Sequence, residues 1–545
     1  MIGKSHWQGG RACLPLALFV CCALICSIAA CASATANWWA DAVFYEVFVR
    51  SFQDSDGDGI GDLRGLIERL DYLNDGDLST ADDLGVTALW LMPICESPSY
   101  HGYDVTDYYD VESDYGTLND LRQLLDEAHA RGIRVIIDLV LNHTSSSHPW
   151  FQASRGPASM YRDWYIWSDT LPSYTGPWGQ RVWHFGGVGF YYGLFWSEMP
   201  DLNYRNPAVS VQMFDVVRFW LDEVGVDGFR LDAIRHLIEN GEQQENTVAT
   251  HFWLKGLSAV AKGWNHDALL MGEVWDSPAA IVSYLDHEMD LCFEFSLAGA
   301  ILSGVRDGKR SEIEDALQTI QQTYPEGQYG TFLSNHDQER VMSQLKGNEA
   351  KAKLAASILL TLPGTPFVYY GEEIGMMGTK PDELIRTPMQ WSAQPDRGFT
   401  TGIPWQSYST PQSGNTVEVQ SNQNDSLLSI YRALIRTRQA NRVLQAGKLI
   451  LVDVGHPSIL SYLRVQDDSL VWVLHNLSAF NVRPSKMDAE LPDSLDRGTS
   501  ILATDLLGNV DPVVFRVAVD LGIDLDGEIP ALSPYQTAIF ELKML

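Results

Sequence analysis

Eight short apolar runs punctuate the chain: Val43–Val49, Thr87–Met92, Ile133–Leu139, Val226–Leu231, Ala268–Gly272, Leu291–Phe295, Gly330–Leu333 and Pro366–Tyr370. Runs of this length, rich in β-branched and aromatic residues, suit strands buried on both faces. Between them, apolar positions recur at helical spacing over Leu118–Ala130, Pro207–Val224, Asn246–Lys262, Ala279–His287, Ser311–Gln322, Ala350–Leu362 and Leu427–Ala440. Asn206-Pro207 supplies a capping residue followed by a first-turn proline, and Gly132 follows the end of the Leu118–Ala130 pattern. Strands that alternate with helices in this way predict an α/β protein, specifically a (β/α)8 TIM barrel.

Two stretches do not fit that alternation. Residues 142–205 are rich in Trp, Tyr, Gly and Pro. A structureless loop of that length is unusual, so they predict a small inserted domain after the third strand. Beyond residue 440 the pattern changes to short β-like runs, Leu449–Val454, Ser458–Val465, Ser469–His475 and, last, Thr537–Leu542. These predict a C-terminal antiparallel β domain, read as a β-sandwich over 441–545, with the barrel built from 38–141 and 206–440.

Composition narrows the partners. The net charge of −32, from 70 acidic and 38 basic residues, argues against nucleic acid and against an anionic membrane surface. Lys4 and Arg11 precede an apolar run from Leu14 to Ala30, which reads as an export signal. Ile28-Ala29-Ala30-Cys31 resembles a bacterial lipoprotein signal, so within the signal segment 1–31 the chain would be cleaved before Cys31, which becomes the lipidated mature N-terminus and the only expected membrane contact. Cleavage at Ala32-Ser33-Ala34 would instead release a free protein. Only Cys95 and Cys292 lie in the body of the chain, both in apolar runs, so no disulfide framework is expected despite export.

In a barrel of this kind the working residues lie at the C-terminal ends of the strands. Here those ends carry Asp138 with Asn142 and His143, then Arg230 and Asp232, then Glu273, then Asn335, His336 and Asp337. Arg230 and Asp232 share one side of their strand, and an arginine beside an aspartate holds that carboxylate ionised, as a nucleophile must be. Alone, the pair reads equally well as a structural ion pair. Four carboxylates on one rim do not, because like charges repel and push pKa values apart, which glycoside hydrolysis requires.

Over residues 38 to 545 the chain resembles the α-amylase family of glycoside hydrolases. The likeness rests on Asp138–His143, Gly228–His236, Glu273 with its strand, Asn335-His336-Asp337 and Met199-Pro200-Asp201-Leu202-Asn203, all in the family's order. It implies a retaining reaction on α-glucosidic bonds, with Asp232 the nucleophile, Glu273 the general acid and base, and Asp337 the third carboxylate, which holds sugar hydroxyls. Asp232 and Glu273 would stand about 5–5.5 Å apart. It further implies substrate contacts from His101, Tyr103, Asp104, His143, Arg230, Arg235, His236, His336 and Arg386, with Arg386 paired to Asp104. Asp138 is expected to be structural.

Asp54-Ser55-Asp56-Gly57-Asp58-Gly59-Ile60-Gly61-Asp62 alternates acids with glycines, an arrangement of hard oxygens suited to Ca²⁺, although it lacks the glutamate at the twelfth position of an EF-hand. By resemblance a structural calcium would use Asp54, Asp56, Asp58, the Ile60 carbonyl and Asp62; a solvated acidic turn is the alternative. A second calcium through Asn142 and Asp201 stays open. The expected activity is α-amylase hydrolysis of starch and maltooligosaccharides by a monomer. The alternatives are an α-glucosidase or oligo-1,6-glucosidase, a cyclodextrin-cleaving enzyme, or a transglycosylase such as a trehalose synthase. A sugar-binding protein without catalysis would have lost Asp232, Glu273 and Asp337, which this chain keeps.

Overall fold

Each of the eight apolar runs forms a strand: β1 Phe44–Val47, β2 Ala88–Leu91, β3 Arg134–Leu139, β4 Gly228–Leu231, β5 Leu269–Gly272, β6 Leu291–Phe293, β7 Tyr329–Thr331 and β8 Thr365–Tyr369. In this computed structural model, which describes residues 37–409, 414–488, 500–516, 522–524 and 531–545, the eight close into one parallel barrel. Each strand pairs with its neighbours in chain order, and β8 returns to β1. The export segment 1–31, with Cys31, and the alternative cleavage site Ala32–Ala34 lie outside the described residues.

Helices cover the barrel where the spacing predicts them, with three differences, the first being that the helix expected over Ala279–His287 is Pro278–Ser283 and gives way to turns. The pattern starting at Pro207 is α-helical only to Arg218; Phe219–Val224 continues as a π turn that ends at Gly225, whose φ of +94° glycine adopts without strain. The run expected as a strand to Phe295 stops at Phe293, and Phe295–Asp307 is a helix. Glu294 makes that switch by accepting the N–H of Leu297, a cap hidden inside a continuous apolar stretch.

The segment 142–205 carries the short helix Pro149–Ser154 and a three-stranded sheet of Trp167–Ser168, Phe190–Tyr192 and Trp183–Phe185. The tail forms a six-stranded antiparallel sheet from β9 Lys448–Leu451, β10 Ile459–Gln466, β11 Ser469–Asn476, β12 Ser500–Asp505, β13 Val513–Arg516 and β14 Thr537–Met544, in the order β9-β10-β11-β14-β12-β13. A separate two-stranded ladder joins Lys486–Asp488 to Gly522–Asp524. One face of the large sheet, through Tyr462, Val471 and Val473, continues the core under the barrel helices; the other buries Trp472 and Phe540 in a core of its own. Cys95 and Cys292 are both buried free thiols. Among the described residues no helix is long and apolar enough to cross a membrane.

Candidate active site

Strand register assembles the carboxylates. Parallel pairing sets Asp138 on β3 level with Arg230 on β4. One step beyond the strands, the N–H of Asp232 donates to Leu139 O (3.3 Å) and that of Glu273 to Leu231 O (3.0 Å), so both acids leave the barrel at the same height. The approach is close: at Gly228 (φ +151°) a Cβ would lie 2.2 Å from the carbonyl oxygen of Leu269, so only glycine fits. Directly after Asp232, Ala233 is left-handed at φ +46°, a strained conformation for a residue with a Cβ, and its N–H donates to Glu273 Oε2 at 3.0 Å.

Arg230 is fully buried and serves three acids. One terminal nitrogen donates to both oxygens of Asp138 (2.8 Å each) and to Asp232 Oδ1 (2.8 Å). The other lies 2.7 Å from Glu273 Oε2, an ion pair off the hydrogen-bond line. A single rigid fork therefore fixes the position of Asp232 relative to Glu273. Asp337 has separate partners, Arg386 (2.9 Å to Oδ1) and His336 (Nε2 3.2 Å from Oδ2). His336 in turn faces Glu46, whose Oε1 is 2.6 Å from Nδ1.

These environments separate the acids' affinities for protons. Burial pushes Asp232 up to about 6, with Arg230 opposing it and Asp138 and Asp337 adding to it. Burial also raises Glu273, again against Arg230 and with Asp232 and Asp337. Asp337 is buried too, but His336, Arg386 and Arg230 outweigh that and hold it well below the usual carboxylate range. Burial raises Asp138 as well, against Arg230 and His336, so the cluster carries one firmly ionised carboxylate and three raised ones, the separation that acid–base work on a glycoside requires.

The three acids line a cleft of about 820 Å³. Of the expected substrate residues, His101, Tyr103, His143, Arg235, His236 and Arg386 also line it, whereas Arg230, His336 and Asp104 lie behind its wall. His143 is neutral, drawn down to about 4 by burial, and its Nε2 faces Tyr103 O at 3.1 Å. His236 is likewise drawn down to about 4 by burial. Both its ring nitrogens are engaged: Nδ1 donates to Gln244 O (2.9 Å) and Nε2 accepts from Arg235 Nε (3.0 Å). Arg235, further held by Asp276 at 3.0 Å, keeps the pair fixed.

One expectation is corrected. Arg386 pairs with Asp337 and Asp382 instead of Asp104, while Asp104 accepts from Ser97 Oγ (2.8 Å) and from Ser99 Oγ. Two hydroxyls close in sequence both donate to Asp104 Oδ1, while Arg386 has Asp337 and Asp382 within reach. Asp138, expected to be structural, is bonded to Arg230 and to the Tyr103 hydroxyl (3.1 Å) and so belongs to the charge network. Sequence reasoning did not assign Trp178, Phe195, Trp196, Trp275, Lys380 or Asp382 to the cleft. The aromatic richness of 142–205 and the place of Trp275, two residues after Glu273, were the available signals. Trp275 is half exposed and stacks on Phe295 (4.7 Å, 5° between planes), an apolar platform in the cleft.

In the loop after β1, single carboxylate oxygens of Asp54, Asp56 and Asp58 lie within 4.8 Å of one another. Burial and the neighbouring Asp56 and Asp54 raise Asp58, whereas at Asp54 burial is outweighed by hydrogen bonds from Thr400 and from backbone N–H groups, which lower it. This donor set of hard oxygens fits a divalent cation. Asp62 is differently employed: its oxygens accept from Ser55 N–H (2.8 Å) and from Gly65 N–H (2.8 Å), capping the helix Leu63–Glu68. The second pair is less prepared. Asn142 donates its amide to His236 O at 2.9 Å, and buried Asp201 accepts from Leu194 N–H at 2.9 Å with its other oxygen unpartnered.

Residues 46–447 match the family model of the alpha-amylase catalytic domain. Alpha-amylase 3 of Dictyoglomus thermophilum is 42% identical over 446 residues, covering 81% of this chain and 85% of that protein. A trehalose synthase/amylase of Mycobacterium tuberculosis is 36% identical over 549 residues, 89% of this chain and 88% of its own. Among solved structures, the crystal structure of alpha-amylase from H. orenii superposes with a TM-score of 0.80 at 40% identity, covering 92% of this chain and 99% of that one.

Proposed function

The chain belongs to the alpha-amylase family of glycoside hydrolases and transglycosylases, and on that premise we propose that it hydrolyses α-1,4-glucosidic bonds of starch and maltooligosaccharides with retention. The observation that carries this reading is the guanidinium of Arg230, which touches both Asp232 (2.8 Å) and Glu273 (2.7 Å) and holds two carboxylates with raised proton affinity side by side on one cleft wall. Asp232, ionised at neutral pH, attacks the anomeric carbon as Glu273 passes its proton to the leaving glycosidic oxygen. Glu273, now a carboxylate, takes a proton from water, which attacks the same carbon and frees Asp232. Asp337 with Arg386 holds hydroxyls of the sugar at the cleavage point, and Tyr103 and Trp275 offer it apolar faces.

The similarity to a trehalose synthase/amylase keeps transfer as the second reading, in which a sugar hydroxyl replaces water in the second step. A product profile from soluble starch, maltotriose, isomaltose, cyclodextrin and maltose separates the readings. Internal fragments from starch are expected; glucose as sole product would mean an α-glucosidase, and trehalose from maltose would mean transfer. We further propose a structural Ca²⁺ held by Asp54, Asp56 and Asp58. Export is proposed on the basic residues Lys4 and Arg11 ahead of Leu14–Ala30, with Cys31 either lipidated or lost; mature enzyme retained in the cytosol would overturn it.

A further inference from the structure

Glu46 is a lone acid in the apolar strand β1, 1% exposed, and the reaction above makes no direct use of it. Register sets it between Trp90 on β2 and Tyr369 on β8. Its Oε1 lies 2.6 Å from His336 Nδ1 and also takes the backbone N–H of His336 at 3.3 Å. Across the ring, Nε2 is 3.2 Å from Asp337 Oδ2 and 2.6 Å from the hydroxyl oxygen of Tyr103. The Tyr103 hydroxyl donates its own hydrogen to Asp138 at 3.1 Å, which leaves its oxygen to accept from Nε2. The carboxylates facing the two ring nitrogens can only accept, and the Tyr103 oxygen accepts as well when its hydrogen goes to Asp138. A neutral imidazole carries a lone pair on one nitrogen and would aim it at a carboxylate; only the imidazolium donates from both.

We propose that Glu46 is a positioning residue of this active site: it holds the His336 ring as an imidazolium, whose Nε2–H fixes Asp337 as an anion and Tyr103 in its orientation. This rests on the reading of Asp337 as the carboxylate that holds sugar hydroxyls. The charged and titratable groups around the ring are Glu46 from β1, Asp337 beside it, Tyr103 and Asp138 on the cleft side, and Arg386, which donates to the His336 carbonyl at 2.9 Å. Burial opposes the imidazolium. The two flanking carboxylates prevail, and the ring is pushed up to about 9. Without the carboxylate of Glu46 the ring loses one of the two charges that keep it protonated, and Asp337 then rests on Arg386 with only the more distant Arg230 behind it.

The test uses the full-length enzyme, with histidine-labelled NMR to follow the ring and His336→Gln to assign its resonance. In the wild type the ring is expected to stay protonated at neutral pH. Glu46→Gln is expected to lower its midpoint by about one unit or more, and to lower kcat/KM about tenfold near pH 8 with a smaller loss near pH 6, because the required proton leaves as pH rises. Glu46→Asp, which keeps the charge, should keep the wild-type pH profile at reduced kcat. A ring neutral at pH 7 in the wild type overturns the proposal even where Glu46→Gln fails to fold, and so does a loss in Glu46→Gln that is the same at every pH. If Asp232→Ala and Glu273→Gln are inactive while Glu46→Gln titrates like the wild type, this inference alone fails. If those two stay active, the catalytic reading fails instead.

Discussion

At the barrel mouth Asp138, Asp232, Glu273 and Asp337 are neutralised by charged side chains: Arg230 serves the first three, and Arg386 with His336 serves the fourth. In the loop after β1, Asp54 accepts from the N–H groups of Asp56, Gly57 and Gly59 and from the Thr400 hydroxyl, Asp56 from the N–H of Asp58, and Asp58 from the N–H of Ile60. None of those donors carries a full charge. The two clusters are similar in composition and opposite in electrostatic state. A buried acid cluster given its own cations has each proton affinity set by the protein, which is the requirement of acid–base chemistry. A partly exposed cluster left to backbone dipoles keeps net negative charge, which is the requirement of a cation site. The counter-charge, more than the acids, tells the two uses apart.

Breaking the mouth cluster should have the largest effect. Asp232→Ala should lower kcat/KM on maltooligosaccharides by about four orders of magnitude, since no other group attacks the anomeric carbon. Glu273→Gln should be nearly as inactive on those substrates but recover much of its rate on an aryl glucoside whose leaving group departs without a proton. Equal loss on both substrate types would remove Glu273 from the role of acid. Neither change should alter the response of the protein to calcium.

A smaller effect follows from pH. Asp232 attacks as an anion and is pushed up to about 6 by burial, so kcat/KM should fall about tenfold per unit as pH drops below that value. Asp337, held well below the carboxylate range, contributes nothing to that limb. A profile flat down to about pH 4 would mean that Arg230 outweighs burial at Asp232.

The barrel was legible in the sequence because strands buried on both faces must be apolar throughout, and eight such runs stand out against helical spacing. The acids at the strand ends were legible for the same reason, as polar residues directly after apolar runs. What escaped depends on contacts between distant segments. Glu46 is a visible lone acid in β1, but its partner His336 lies 290 residues away and follows from barrel closure alone. The resemblance implies that Asp104 pairs with Arg386, yet Ser97 and Ser99, close in sequence, donate to Asp104 instead. The helix Phe295–Asp307 was masked because strand and helix join through one apolar stretch, with Glu294 as the hinge.

The loop cluster should answer to chelation and not to catalytic substitution. If Ca²⁺ occupies the Asp54–Asp56–Asp58 cluster as proposed, its binding stabilises only the folded chain, by roughly 3 kcal/mol at a hundredfold excess over its Kd. Removing it with a chelator should therefore lower the melting temperature by a few degrees, and calcium in excess should restore it. The loop packs on the barrel through Asp54, which accepts from Thr400, and through Gly59, where a Cβ would strike the carbonyl oxygen of Ile403 at 1.9 Å. Loosening it should thus be felt as stability while the cleft keeps its chemistry. Asp56→Asn, which removes one charge but leaves an oxygen for the N–H of Asp58, should weaken the calcium response without lowering kcat at saturating calcium. A melting temperature indifferent to chelation would make the loop a solvated acidic turn, held by the Asp62 cap, the backbone N–H groups and its contacts with Thr400 and Ile403.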